Sequence, residues 1–365
     1  MDYVFNGVEI MAIILAIETS CDETAAAVVE RAGENKFEVR SSIVASQIDL
    51  HRKYGGVVPE VASRAHVENI QLVTAEAMSE AKVSIRELDA IAVTCTPGLI
   101  GALLVGLNYA KALAFTAGVP LIPVHHIEGH ICASYVENAV KLPFISLVAS
   151  GGHSAVVLSK EYDDFVLLAQ TRDDAAGEAF DKVARALDIG YPGGPAIEKA
   201  AKEGNDKAYT FPQVKLDDSD DFSFSGVKTA VINTLQKAKN TGENANVADI
   251  AASFQYAVCE TLSERTIGIA KKRDVNQIVL AGGVAANKLL RAMLEKKCAQ
   301  NNFNFFVSSI KYCTDNAVMI AVRAFFSFDK NQFAGLDLNA RASCKVGHFT
   351  PVEKPVETVE KVCDK

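Results

Sequence analysis

The 365-residue sequence lacks any excess of positive charge: Lys and Arg number 37 against 45 Asp and Glu, for a net charge of −8 and a pI of about 5.5. A protein that covers nucleic acid with its whole surface is usually basic, so any polynucleotide must be held by local patches or partly by another subunit. The sequence also lacks a disulfide pattern. Its eight cysteines, at 21, 95, 132, 259, 298, 313, 344 and 363, form no CxxC and no even framework, which fits reduced thiols in a cytoplasmic protein. No basic n-region of a signal peptide is present; Asp2 and Glu9 stand there instead. Residues 1–11 read as a leader before the first strand, with Met1 and Met11 as alternative starts. An uninterrupted membrane run is missing as well. Residues 90–110 carry no charge and are long enough to span a bilayer, but Thr94-Cys-Thr-Pro-Gly98 breaks them and Gly101, Gly106 and Asn108 follow. A strand, a turn and a small-residue helix buried in protein are expected there, and no membrane partner.

What is present is an ordinary globular composition, 49% hydrophobic and 22% charged. The chain is long enough for one large domain or two lobes with separate cores. Four of its seven histidines fall between His125 and His153. Pro123-Val-His-His-Ile-Glu-Gly-His130 follows an apolar run, 119–124, that reads as a buried strand. His126 and His130 are four apart, so on a helix both imidazoles leave one face, one turn apart. That spacing suits one divalent metal. Gly129 weakens the helix, and such pairs also arise by chance. A third ligand must come from elsewhere. Asp315, in Thr314-Asp-Asn316 before an expected helix over 317–326, reads first as an N-cap and is the carboxylate nominated as that ligand.

Two hairpins bracket small polar turns. Strands over 13–17 and 25–29 flank Glu18-Thr-Ser-Cys-Asp-Glu-Thr24; strands over 144–149 and 155–158 flank Ser150-Gly-Gly-His-Ser154. The repetition suggests two related lobes. The first turn offers hydroxyls and N–H groups to phosphate and Asp22 or Glu23 to a metal or water, though a hairpin with a polar tip has the same pattern. The second lets backbone approach a ligand closely. Residues 47–65, with the cations His51-Arg-Lys53 and Gly55-Gly-Val-Val-Pro-Glu60, read as an irregular exposed loop. Helical periodicity follows over 67–81. Asp181 lies on a helix through Leu187, and Tyr191-Pro-Gly-Gly-Pro195 reads as a rigid loop. A strand over 277–280 leads into Ala281-Gly-Gly-Val-Ala-Ala-Asn287, which is expected to open a helix whose N–H groups face a nucleotide, with Asn287 available to a ribose or purine.

These stretches, with Pro97-Gly-Leu-Ile-Gly101, Asp174-Ala-Ala-Gly-Glu-Ala-Phe-Asp181 and Phe222-Ser-Phe-Ser-Gly-Val-Lys228, run in the order of one family. From about residue 13 to 345 the chain resembles the TsaD family, the tRNA N6-adenosine threonylcarbamoyltransferases formerly called O-sialoglycoprotein endopeptidases. It departs mildly: Ser154 stands where the family often has Thr, and 1–11 and 351–365 lie outside the pattern. The resemblance implies an α/β chain of the actin/Hsp70/sugar-kinase fold, two lobes each with a mixed sheet flanked by helices, and a nucleotide cleft between them. The lobes are expected over 12–130 plus about 310–345, carrying the metal ligands, and over 131–309, carrying the glycine turns, with flexible ends at 1–11 and 350–365. It implies one divalent metal on His126, His130 and Asp315, with iron(II) first and zinc as the alternative. It implies an adenylate substrate in contact with Val148, Ala149, Ser150, Gly151, Gly152, Asp181, Gly194 and Asn287. The implied partners are tRNA and TsaB-like and TsaE-like proteins, in the cytoplasm. Asp22, Glu23 and Asp181 are the acids available for proton transfer, unranked. Two rival readings stand: a metal-dependent glycoprotein endopeptidase, although Glu128 does not sit as in His-Glu-x-x-His, and a non-catalytic nucleotide-binding scaffold.

Overall fold

A computed structural model describes residues 11–33, 35–212 and 219–349. The expected flexible ends lie outside the described residues except for Met11. The described residues divide into two compact units, one drawn from those within 11–47, 59–136 and 315–349, the other from those within 48–58 and 137–314. Residues 48–58, expected in the first lobe, therefore group with the second unit.

The first unit holds a five-stranded mixed sheet in the order β3-β2-β1-β4-β5. Its strands are β1 (Ala12–Glu18), β2 (Glu23–Arg31), β3 (Phe37–Ser46), β4 (Ala90–Thr96) and β5 (Leu121–His125). β1, β2 and β3 pair antiparallel, and β4 and β5 join β1 in parallel. Every residue of β4 and β5 is buried, as continuous apolar runs in a parallel sheet require. The edge strand β3 was not expected from the sequence, because its composition is mixed and every other outer residue meets solvent. The uncharged run over 90–110 divides into β4 and the helix Ile100–Ala117, as expected. That helix is long and apolar enough to cross a membrane by length and composition. Here Leu103, Leu107, Ala110 and Ala114 pack into the core while Ile100 and Phe115 face outward.

The helix expected over 67–81 begins earlier, at Pro59, and runs to Ala81. Proline suits a first helical position because its missing N–H would be unpaired there anyway. The expected irregular loop before it holds the short helix Ile48–Arg52. The helix Ala317–Asp329 is mostly apolar and almost wholly buried, with Arg323 as its one buried charge.

The second unit repeats the strand order. β6 (Phe144–Ala149), β7 (Ser154–Ser159), β8 (Phe165–Gln170), β9 (Gln277–Ala281) and β10 (Asn304–Val307) form the sheet β10-β9-β6-β7-β8. Its first three strands are again antiparallel, and β9 and β10 again join in parallel. Two mixed sheets of this kind, each flanked by helices, match the fold expected. Two local readings change. The glycines of Tyr191-Pro-Gly-Gly-Pro195 do not form a loop: the helix Gly193–Ala201 begins on them. After β9, Gly283–Ala286 is a 3-10 turn, and the helix starts only at Lys288, with Asn287 as its cap. Gly282 takes φ +88°, and a Cβ there would lie 2.4 Å from the carbonyl oxygen of Ala149, so both conformation and space demand glycine.

Asp173 and Asp174 explain why Phe222-Ser-Phe-Ser-Gly-Val-Lys228 belongs with them. Asp173 accepts hydrogen bonds from the hydroxyls of Ser223 (2.5 Å) and Ser225 (2.7 Å) and from the amides of Phe224 (2.8 Å) and Ser225 (3.2 Å). It thereby caps the helix Ser225–Thr241 from fifty residues away. Asp174 pairs with Lys182 (2.7 Å) and Lys228 (2.6 Å). Burial works to raise the pKa of both acids, but the hydrogen bonds outweigh it and hold both below the usual range. A depressed carboxylate stabilises the fold above its unfolded pKa and loses that contribution as pH falls through the folded value. Asp173→Asn should therefore flatten the loss of thermal stability with acidification below about pH 4, and Asp173→Ala should cost about 1 kcal/mol at neutral pH. Thermal denaturation across pH checks both.

Candidate metal centre and glycine turns

Glu18 closes the buried strand β1 and is itself fully buried. Its Oε1 accepts the amide of Ser20 at 2.5 Å, and its Oε2 accepts the Thr94 hydroxyl at 2.5 Å. His126 Nδ1 lies 3.0 Å from Glu18 Oε2 and 3.0 Å from Ser20 Oγ. A carboxylate only accepts, so Nδ1 carries a proton, and Nε2 is the nitrogen whose lone pair a cation would take in place of a second proton.

His126 opens the helix His126–Cys132, which forms despite Gly129. The glycine has a packing reason: a Cβ there would lie 2.9 Å from Ile320 Cδ1 on the helix Ala317–Asp329. The two imidazoles stand with centroids 4.7 Å apart and planes at 81°. Asp315 Oδ1 is 3.1 Å from His130 Nε2 and 3.6 Å from His126 Nε2. Asn316 caps the helix Ala317–Asp329 by accepting from the Met319 amide at 3.0 Å. The capping role read for Asp315 thus falls to its neighbour, and the Asp315 carboxylate turns to the histidines.

One ligand atom from each of His126, His130 and Asp315 lies within 4.8 Å of the others. Two imidazole nitrogens and one carboxylate oxygen suit a first-row divalent cation with coordination positions left open. The electrostatics agree. Burial lowers the His126 pKa, but Asp315 and Glu18 together overcome it and push it up to about 9. Burial likewise raises Glu18, yet the charge and hydrogen bond of His126 bring it below its ordinary value. The same pair of negative charges favours a cation among the three donors.

Asp22 ends the turn and Glu23 opens β2 beside this group. Burial, with Asp315 and Asp22 next, raises Glu23 well above its usual pKa. Leu99 N–H donates to the Ser20 carbonyl at 2.8 Å, and the Thr19 hydroxyl donates to the Ala102 carbonyl at 2.9 Å. A Cβ on Gly98 would lie 2.5 Å from that Ser20 oxygen, so Pro97-Gly-Leu-Ile-Gly101 lets the helix Ile100–Ala117 close on the turn. Glu128, the acid between the two histidines, is buried and paired with Arg323 Nε at 3.0 Å, with the Gly347 amide at 3.4 Å. A carboxylate so committed is a poor base for water.

In the second unit the β6–β7 turn closes through Ser150 N–H to the His153 carbonyl (2.7 Å) and His153 N–H to Ser150 Oγ (3.2 Å). Gly151 and Gly152 are exposed in it. Gly177 N–H donates to the Ser150 carbonyl at 3.2 Å, which seats the helix Ala176–Ala186 on the turn. Asp181, on that helix, accepts from Gly193 N–H at 2.6 Å. It also lines a cavity of about 480 Å³ with Arg52, Arg185, Tyr191 and Lys199. Asn287 is less open than expected. Its Oδ1 accepts from the Leu290 amide at 3.0 Å, and its Nδ2 donates to Gln255 at 3.1 Å, which leaves one amide hydrogen for a ligand.

Sequence reasoning missed Glu18, Ser20 and Thr94. The available signal was a lone acid ending an apolar strand.

The sequence model described as TsaD, tRNA N6-adenosine threonylcarbamoyltransferase, matches residues 38–322. The chain belongs to the TsaD family. Relatives of that same description are 53% identical over 336 residues in Clostridium botulinum (strain 657 / Type Ba4), covering 92% of this chain and 98% of the relative. In Clostridium perfringens (strain SM101 / Type A) the identity is 52% over 337 residues, with the same coverage. Family membership makes the chain a transferase of the acyl class. In fold alone it is similar to HypF of T. kodakarensis, with TM-score 0.59 and 17% identity over 88% of this chain and 49% of that one. Full-length HypF in a phosphate- and nucleotide-bound form gives TM-score 0.57 and 16% identity over 89% and 47%. The chain spans about half the length of HypF.

His126→Ala and His130→Ala should each abolish stoichiometric metal while the fold survives, read by elemental analysis and circular dichroism. Glu18→Gln should weaken metal affinity by about 10- to 100-fold, the usual effect of removing a ligand's hydrogen-bond partner.

Proposed function

We propose that this chain transfers the threonylcarbamoyl group from threonylcarbamoyl-AMP to the exocyclic amine of the adenosine 3′ to the anticodon, in tRNAs reading codons that begin with A. The observation that carries the mechanism is the convergence of His126, His130 and Asp315, with Glu18 behind the first of them. In the reaction the bond from the carbonyl carbon to the phosphate oxygen breaks and the bond from N6 to that carbon forms. N6 loses a proton and AMP leaves. An aromatic amine is a weak nucleophile, so positioning it and stabilising charge on the carbonyl oxygen matter most. The bound cation, iron(II) first and zinc as the alternative, supplies Lewis acidity.

This chain's residues do the rest. The end of β6 at Val148 and Ala149 and the turn Ser150, Gly151 and Gly152, with Gly194 and the remaining amide hydrogen of Asn287, receive the adenylate. Of the three acids, Glu23 is the one whose carboxylate has its proton affinity raised by burial and by Asp315 and Asp22, which suits it to take the N6 proton. Asp181 already accepts from Gly193 and is better suited to hold the substrate. The reaction takes place in the cytoplasm with TsaB-like and TsaE-like partners. The free thiols of all seven described cysteines fit that compartment.

Unmodified tRNA incubated with the metal-loaded chain, both partners and threonylcarbamoyl-AMP should yield a nucleoside heavier than adenosine by one threonylcarbamoyl group, read by mass spectrometry. Unchanged adenosine under those conditions would refute the proposal.

A further inference from the structure

His66 is fully buried on the helix Pro59–Ala81, yet neither the metal centre nor the core uses it. Its Nε2 lies 3.0 Å from the carbonyl oxygen of Cys21. A carbonyl only accepts, so Nε2 carries the proton and Nδ1 accepts. Nδ1 lies 2.7 Å from the Thr24 hydroxyl and 3.5 Å from Gln47 Nε2. One ring therefore holds both ends of the segment Cys21 to Thr24, and the two residues between its anchors are Asp22 and Glu23. The Gln47 amide also donates to the Asp22 carbonyl at 3.0 Å, so the bracket has a second tie to the same strand end.

We propose that His66 is a positioning residue for threonylcarbamoyl transfer, fixing the backbone on either side of Asp22 and Glu23 so that the acid faces the reacting amine. The inference rests on the function proposed above. A neutral, doubly hydrogen-bonded imidazole is well fitted to such positioning, because it is rigid and its two nitrogens address donor and acceptor at opposite ends of one short turn. An apolar residue of similar size would fill the space and release both ends. Glutamine keeps one donor and one acceptor at about the imidazole spacing.

The experiment compares His66→Leu, His66→Gln and Thr24→Val in the full chain with its partners, reading kcat, KM for tRNA, bound metal, and amide hydrogen exchange of the segment 19–24. His66→Leu should lower kcat by about 10- to 100-fold, the scale of a misplaced catalytic group, with KM and metal content near wild type. Exchange in 19–24 should quicken while that of 126–132 does not. His66→Gln should recover most of kcat, and Thr24→Val should shift kcat and exchange in the same direction as His66→Leu, to a smaller extent. Thr24→Val still decides the matter where His66→Leu fails to fold. Unchanged exchange in 19–24, or a glutamine variant no better than leucine, overturns the proposal. If the wild-type chain transfers no threonylcarbamoyl group, the functional reading fails, while exchange still decides whether His66 holds the turn.

Discussion

The contact between His126 Nδ1 and Glu18 is the one on which the first unit's site depends. A buried carboxylate without partners is costly, and Glu18 avoids that cost through Ser20, Thr94 and His126. Its place is fixed by the sheet. β1 lies between β2 and β4, with Glu18 opposite Ala25 and Ile17 opposite Val93. The candidate ligand His126 is thus oriented by a carboxylate on the central strand, and the same bond places a proton on its Nδ1. The helix carrying both histidines then needs only one further donor, which Asp315 provides once Asn316 has taken over the capping.

The histidine pair was legible because i, i+4 spacing is a local property of a helix. The turn glycines were legible for the same reason, as were the buried strands β4 and β5, whose apolar runs need no partner to be recognised. Glu18 was not, since a carboxylate ending a strand looks like any polar turn until a ring 108 positions away is placed against it. The Asp173 cap escaped for a similar reason: its helix lies fifty residues downstream, and local rules search for a cap one residue away. Asn287 carries a second task that its polarity alone did not show: its Oδ1 caps the helix Lys288–Gln300 and its Nδ2 donates to Gln255, leaving one amide hydrogen free. The edge strands β3 and β8 were missed because half-exposed strands of mixed composition carry little periodic signal.

The two units share strand order and strand directions but differ where the first hairpin turns. In the first unit the turn is Thr-Ser-Cys-Asp, made of polar side chains, of which the Ser20 hydroxyl reaches His126. In the second it is Ser-Gly-Gly-His, with bare backbone at its tip. One frame thus presents two chemistries. Side-chain oxygens can fix a ligand to a cation, and exposed glycine amides can meet an anionic group. This division of labour explains why acids concentrate in one turn and glycines in the other within the same topology.

Glu128 bears on the choice between transfer and proteolysis. A peptidase base must meet water, so it needs an exposed or water-lined carboxylate. Glu128 is instead 2% exposed and paired with a buried arginine on the helix Ala317–Asp329. Buried ion pairs contribute little net stability compared with apolar packing, but breaking one by removing a single partner is costly, about 3–5 kcal/mol. The pair therefore acts as a register lock between the helix that carries the histidines and the helix that follows Asp315. Its geometric consequence is the one a metal site would need: two candidate ligands on one helix and a third just before another, held at a fixed separation by an interaction that neither helix can satisfy alone.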